Sequence, residues 1–240
     1  MVLKYLIREN AYYDSVTLMI STREVKKIDS QPGQNLVLTL DAGLQQTAFQ
    51  ALAGRKGAVV AAKPNGEILA LVSSPAFDPN VFSQNLNSSH SAEIKEIFAD
   101  PDQPMFNRAI AGLYPPGSVF KIVTAIAGLE EGKINRSTLI EDTGQIKVGE
   151  FSYANWYFTQ YGKTEGMVDV VKALQRSNDI FFYRVGEYLG INKLVDWAKF
   201  FGLGRKTGID LEGEAAGLVP SPQWKKEHQL KRWYLGDTYI

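Results

Sequence analysis

Ser118 and Lys121, in the stretch "YPPGSVFK", are the residues whose types and spacing best suit chemistry. A serine and a lysine three positions apart on a helix share one face, close enough for an amine to take a proton from a hydroxyl. An amine-activated serine nucleophile needs that arrangement. The spacing alone is met equally well by a serine N-cap and a solvated lysine. Two features favour the chemical reading. Lys121 interrupts the otherwise apolar run "SVFKIVTAIAGLEEG", and no other Ser-x-x-Lys occurs in the chain. Burial among apolar side chains favours the neutral amine that such a base requires. Pro115, Pro116 and Gly117 fix the entry to the helix and leave its first amides free, so the amide of Ser118 is a candidate oxyanion donor. A second polar cluster, Ser177-Asn178-Asp179, precedes "IFFYRVGEYLG" and on residue types alone is an N-cap.

The elements that must position these groups are legible in outline. Residues 1–33 are set off by "DSQPGQ" and read as a leading segment before a larger domain over 34–240. "NLVLTLD" alternates as a half-buried strand, and Asp41 is placed to cap the helix "AGLQQTAFQALAG". "GAVVAAKPNGEILALVSSP" predicts a hairpin, with Asn65-Gly66 supplying the positive φ angles of a tight turn. One short helix is expected in the polar stretch that follows. A buried helix should start at Ser118 and close at Gly132. "DTGQIKVGEFSYANWYF" predicts a loop with short strands, and "MVDVVKALQRS", "DIFFYRVGEYLG" and "NKLVDWAKFFGLG" predict helices, the last two ended by glycine. Strands first and helices after predict an α+β fold.

Composition narrows the function. Twenty-six basic and twenty-six acidic residues give no net charge, so no global field draws the chain to nucleic acid or to an anionic membrane. The absence of cysteine removes disulfides, thiol catalysis and thiolate metal sites. Only His90 and His228 could serve as imidazole ligands or bases, and they lie far apart, so neither a metal nor a cofactor is implied. Neither histidine has a natural place beside Ser118, and there is no Gly-x-Ser-x-Gly. "MVLKYLIREN" is too short and polar for a membrane span.

Ser-x-x-Lys after Pro-Gly is the nucleophile motif of penicillin-binding proteins and serine β-lactamases. The similarity is wider than one motif. "GEILALVSSPAFDPN", "NRAIAGLYPPGSVFK", "RSNDIFFYRVGEYLG", "FGLGRKTGIDLEGE", "GLVPSPQWKK" and "WYLGDT" resemble, in order and spacing, the class B penicillin-binding proteins of the elongation or septal type. The resemblance covers about residues 34–240 and implies the transpeptidase fold that these enzymes share with serine β-lactamases. It implies a D,D-transpeptidase: Ser118 attacks the carbonyl between the terminal D-alanines of a peptidoglycan stem peptide, Lys121 is base and acid, and Ser177 relays protons. β-Lactams would acylate the same oxygen. Asp179 stands where the family's Ser-x-Asn motif has asparagine, and a carboxylate there favours charged Lys121, so the expected resting state pairs the two. The implied partners are stem peptides, β-lactam antibiotics and proteins of cell-wall elongation or division. The implied location is the bacterial cytoplasmic membrane, with the catalytic domain outside and no anchor within this sequence. Lys206-Thr207-Gly208 matches the third family motif in letters only. It follows Ser177 too closely and is read as a turn with a solvated lysine. The strand bearing the true motif is expected beyond Ile240 with the C-terminal part of the sheet, and a chain lacking it should have little transpeptidase activity. The competing readings are a serine β-lactamase or β-lactam sensor, tested by cephalosporin turnover, and a non-catalytic scaffold, tested by partner binding without acylation.

Overall fold

A computed structural model describes residues 35–82, 88–229 and 231–239; the leading segment expected over 1–33 lies outside the described residues. The chain divides into two compact units, one ending at Gly112 and the other starting at Leu113.

In the first unit helix α1 (Ala42–Leu52) packs on an antiparallel hairpin of β1 (Gly57–Ala62) and β2 (Ile68–Ser74), burying Ala48, Ala70 and Val72. Asp41 caps α1 as expected, accepting the Leu44 amide at 2.8 Å. The hairpin forms as predicted, but its turn is not the tight Asn-Gly type. Only Gly66 has positive φ, at 93°. Lys63 O accepts the Gly66 amide, and the Lys63 amide reaches Glu67 O, each at 2.9 Å. A Pro64-Asn65 turn followed by a left-handed glycine is the longer hairpin connection, in which proline presets the first corner. "NLVLTLD" is not a strand either. Residues 35–39 are exposed and outside any ladder, and the contacts to β2 are Asp41 N to Leu69 O and Thr39 Oγ1 to Ile68 O. Gln45 of α1 explains part of this. Its amide both donates to Leu71 O and accepts from Leu71 N, at 2.8 Å each, and so occupies the β2 backbone where a neighbouring strand would pair. A twelve-residue helix, α2 (Ser88–Ala99), follows in this unit.

In the second unit a 3-10 turn over Gly117–Phe120 runs into helix α3 (Lys121–Glu130), which Gly132 closes at φ 63°. Short antiparallel pairs follow: β3 (Ile140–Asp142) with β6 (Gly166–Val168), and β4 (Gln145–Val148) with β5 (Phe151–Ala154), the last leading to α4 (Trp156–Tyr161). Helix α5 (Val170–Arg176) is capped by Asp169. It precedes α6 (Asp179–Phe200), two helices joined at Gly190, where φ is 72°. Helix α7 (Pro222–Gln229) lies near the end. Phe120, Val123, Ala127, Val168, Phe181, Phe182, Val185 and Leu194 form the core between α3 and α6. Burying such side chains contributes roughly 1.5–3 kcal/mol each and fixes the contact of the two helices. Gly128 permits that contact, since a Cβ there would stand 2.7 Å from Val185 Cγ1. The expectation that α3 is buried all round fails on one side, where Val119 and Ile122 are exposed. The fold is α+β, as predicted.

Candidate active site

Ser118 lies inside the 3-10 turn, not at a helix cap. Gly117, at φ 55°, already begins the turn, and neither Pro116 nor Phe120 makes a side-chain cap. The N-cap alternative for Ser118 therefore does not hold. Because a 3-10 turn has three residues per turn, residues i and i+3 eclipse, so Ser118 and Lys121 stack on one side. Ser118 is exposed while Lys121 is 4% exposed.

The Lys121 ammonium meets three acceptors, all from the turn between α5 and α6. Nζ lies 2.8 Å from Ser177 O, 3.0 Å from Ser177 Oγ and 2.5 Å from Asp179 Oδ1. Three donors on three acceptors satisfy a lysine completely. The Phe182 ring lies 5.8 Å below it. Ser177 Oγ in turn donates to Ser118 Oγ at 2.9 Å. The connection from Lys121 to Ser118 thus runs through the Ser177 hydroxyl.

Local structure explains how these groups are aimed. Ser177 is the left-handed residue that ends α5, at φ 51°, a conformation that costs a non-glycine residue about 1 kcal/mol or more. Asn178 then caps α6 by accepting the Phe181 amide at 2.9 Å. The cap predicted for Ser177-Asn178-Asp179 thus falls to the middle residue, which frees the outer two for Lys121. Asp179 Oδ2 accepts the Trp156 amide at 2.9 Å, and the Trp156 indole donates to Arg176 O at 2.9 Å, so one tryptophan holds both flanks of the turn. Arg176 bonds Glu165 and lies over the Trp156 and Tyr157 rings. Burial, with the negative charge of Asp179 and with Tyr153 adding to it, pushes the Tyr183 phenol up to about 12. That phenol remains a neutral hydroxyl near neutral pH.

Residues 57–235 match the model of the penicillin binding protein transpeptidase domain. The chain belongs to that family. It is 41% identical over 218 residues to the peptidoglycan D,D-transpeptidase MrdA of Acinetobacter baumannii, covering 90% of this chain and 32% of the relative. To MrdA of Escherichia coli K12 it is 40% identical over 219 residues, covering 90% and 34%. Among solved structures it is similar to Pseudomonas aeruginosa PBP2 in complex with WCK 5153, at 39% identity and TM-score 0.77 over 88% of this chain and 47% of that one. It is also similar to Helicobacter pylori PBP2 in complex with MreC, at 31% identity and TM-score 0.78 over 92% and 42%. The chain spans about a third of the length of the curated relatives it matches. These likenesses place it with the class B, PBP2-type transpeptidases, the type expected from the motifs.

Lys206-Thr207-Gly208 is not part of a strand. The segment is an exposed loop after α6, Gly208 has φ 86°, and Glu214 accepts from the Thr207 amide, the Thr207 hydroxyl and the Gly208 amide. His228 sits on α7, its ring stacked on Trp224 and its Nδ1 3.0 Å from Trp224 O. Among the described residues no group of three metal-binding side chains converges, and no helix is long and apolar enough to cross a membrane.

Sequence reasoning overlooked Asp142, Asn155 and Trp156. Asp142 Oδ1 accepts the Gly144 amide at 2.9 Å, a local turn that Asp-Thr-Gly signals by itself. The other carboxylate oxygen is committed to distant partners, of which the local pattern gives no sign.

Proposed function

We propose that this chain carries the nucleophile half of a peptidoglycan D,D-transpeptidase site, with Ser118 as nucleophile, Lys121 as base and acid, Ser177 as proton relay and Asp179 as the partner of Lys121. The observation that carries the reading is the hydrogen-bonded series from Lys121 Nζ through Ser177 Oγ to Ser118 Oγ.

At rest Lys121 is fully bonded as an ammonium, paired with Asp179. Substrate covering the site displaces water from this pair, which weakens the solvation of both charges. The shared proton then moves toward Asp179 and leaves an amine lone pair. Ser118 Oγ attacks the carbonyl between the two terminal D-alanines, forming a C–O bond. Its proton passes to Ser177 as the Ser177 proton passes to Lys121. Collapse of the tetrahedral intermediate breaks the C–N bond, and Lys121 returns the proton through Ser177 to the departing D-alanine amine. The acyl ester is resolved by the amine of a second stem peptide, through the same transfers in reverse. A β-lactam acylates Ser118 by the same attack, its C–N bond opening within the ring and the ring nitrogen taking the proton. The Ser118 amide, at the N-terminal end of the turn, is placed to donate to the developing oxyanion.

The likeness to H. pylori PBP2, solved in complex with MreC, supports a partner from the cell-wall elongation apparatus. The family's usual arrangement supports a catalytic domain outside the cytoplasmic membrane. The deciding experiment is labelling of the full-length protein with a fluorescent penicillin, followed by peptide mass mapping. One label per molecule on Ser118, lost in Ser118→Ala, is expected. Labelling that persists in Ser118→Ala would overturn the assignment.

A further inference from the structure

We infer that Asp142, acting through Asn155 and Asn178, is a positioning residue for the Ser177–Asp179 turn; the inference rests on the transpeptidase reading above. Asp142 stands at the end of β3 with 2% of its surface exposed. Its Oδ2 accepts from Asn155 Nδ2 at 2.9 Å, from Asn178 Nδ2 at 3.0 Å and from the Glu165 amide at 3.0 Å. With Gly144 on Oδ1, the carboxylate holds four neutral N–H groups.

An amide side chain presents donors at one end and an acceptor at the other, so a carboxylate that claims the donors also fixes where the acceptor points. Asn155 and Asn178 are both fully buried and have no solvent to reorient toward. Asn178 Oδ1 is thereby aimed at the Phe181 amide and sets the first turn of α6. Asn155 Oδ1 is aimed at the Asp179 amide, 3.2 Å away. The two asparagines thus hold the backbone on either side of the bond between Asn178 and Asp179. Ser177 is one residue before it, in a left-handed conformation that needs outside support. Asp142 touches neither Lys121 nor Ser118 in this network. Its effect reaches them through Asp179, whose Oδ1 meets Lys121, and through Ser177, whose Oγ meets both.

An asparagine at position 142 cannot reproduce this arrangement. With its oxygen toward Asn155 and Asn178, its NH2 is set against the Gly144 amide; with its NH2 toward the asparagines, donors face donors. In the first orientation the neutral oxygen holds both asparagines less firmly than a carboxylate does, in the second it does not hold them, and in both the carboxylate of Asp179 is freed to shift against Lys121.

The test is made in the full-length protein with Asp142→Asn, Asn155→Ala and, as a control for plain loss of core stability, Ile140→Val on the same strand. Acylation by fluorescent penicillin is followed from about pH 5 to pH 9 beside thermal unfolding. Asp142→Asn and Asn155→Ala are expected to slow acylation by about 10-fold to 100-fold, as misplacement of reacting groups does. They should also displace the pH–rate profile, which Ile140→Val should leave in place. Profiles for both polar variants that coincide with the control would overturn the inference. If Asp142→Asn fails to fold, Asn155→Ala, which keeps the carboxylate and removes the contact to the Asp179 amide, decides it. If the wild type itself is not acylated at Ser118, the transpeptidase reading falls. Amide hydrogen exchange over residues 177–181 then judges the positioning by itself. Faster exchange in the polar variants than in Ile140→Val supports it, and equal exchange refutes it.

Discussion

The hydroxyl oxygens of Ser118 and Ser177 stand 2.9 Å apart across 59 residues of chain, with Lys121 Nζ bonded to the Ser177 oxygen. In the proposed function Ser177 is thus the link between base and nucleophile, and it is held in a backbone conformation better suited to glycine. Ser177→Gly therefore separates function from stability. Losing the relay should slow penicillin acylation by about 10²–10⁴-fold. Relief of the left-handed backbone, about 1 kcal/mol, should offset part of the two hydrogen bonds lost with the Ser177 hydroxyl, from Lys121 and to Ser118, so that only a small net loss of stability is expected. Acylation kinetics and thermal unfolding of the same sample check both halves.

Asp179→Asn removes the carboxylate paired with Lys121 while leaving an oxygen for the Trp156 amide. In the proposed mechanism it also removes the group that takes the lysine proton. Penicillin acylation at Ser118 should therefore slow by about 10²-fold, and a rate equal to that of the wild type would exclude the proposed pairing.

Lys206→Ala tests the loop reading of Lys206-Thr207-Gly208. An exposed loop side chain outside the Lys121–Ser177–Ser118 series should change acylation by no more than about twofold, equivalent to about 0.5 kcal/mol. A loss of several orders of magnitude would make it the catalytic motif after all.

Gly128→Ala sets helix propensity against packing. Alanine gains about 1 kcal/mol over glycine in a helix. Its Cβ would sit 2.7 Å from Val185 Cγ1 and 3.1 Å from Ile134 Cγ1, both in the core. Overpacking of this kind costs about 1–3 kcal/mol or more, so a net loss of stability is expected in chemical denaturation.

Asp237 links stability to pH. Its burial opposes ionisation, but hydrogen bonds from Lys225 and the Tyr234 amide outweigh that and hold the carboxyl below its ordinary value. A depressed folded-state value stabilises the fold above the unfolded pKa of about 3.9, and the contribution is lost as pH falls through the lower folded value. Lys225→Met should therefore lower stability near neutrality and flatten the acid loss between about pH 4 and pH 2, read from urea midpoints across that range.

Much of the fold, and the start of the site, was legible because it is local. The i, i+3 spacing of Ser118 and Lys121, the Asp41 cap, the hairpin about Pro64-Asn65-Gly66 and the glycine ends at Gly132 and Gly190 each depend on a few consecutive residues. The misreadings were also local, but lost to a competing partner. "NLVLTLD" alternates like a strand, yet Gln45 occupies the β2 backbone beside it. Ser118 has the residue type of a cap, yet Gly117 opens the turn one residue earlier.

The sequence by itself determined that one serine and one lysine share a turn at the head of an apolar helix, because helical geometry places residues three apart on one side whatever lies around them. The tertiary structure alone decided what that lysine meets. Ser177 and Asp179 are 56 and 58 residues away from Lys121, and their approach depends on α3 and α6 packing through Gly128 and Val185 and on a buried carboxylate that orients two asparagines. Such convergence leaves no period in the chain, since side-chain amides and carboxylates select partners by proximity in space.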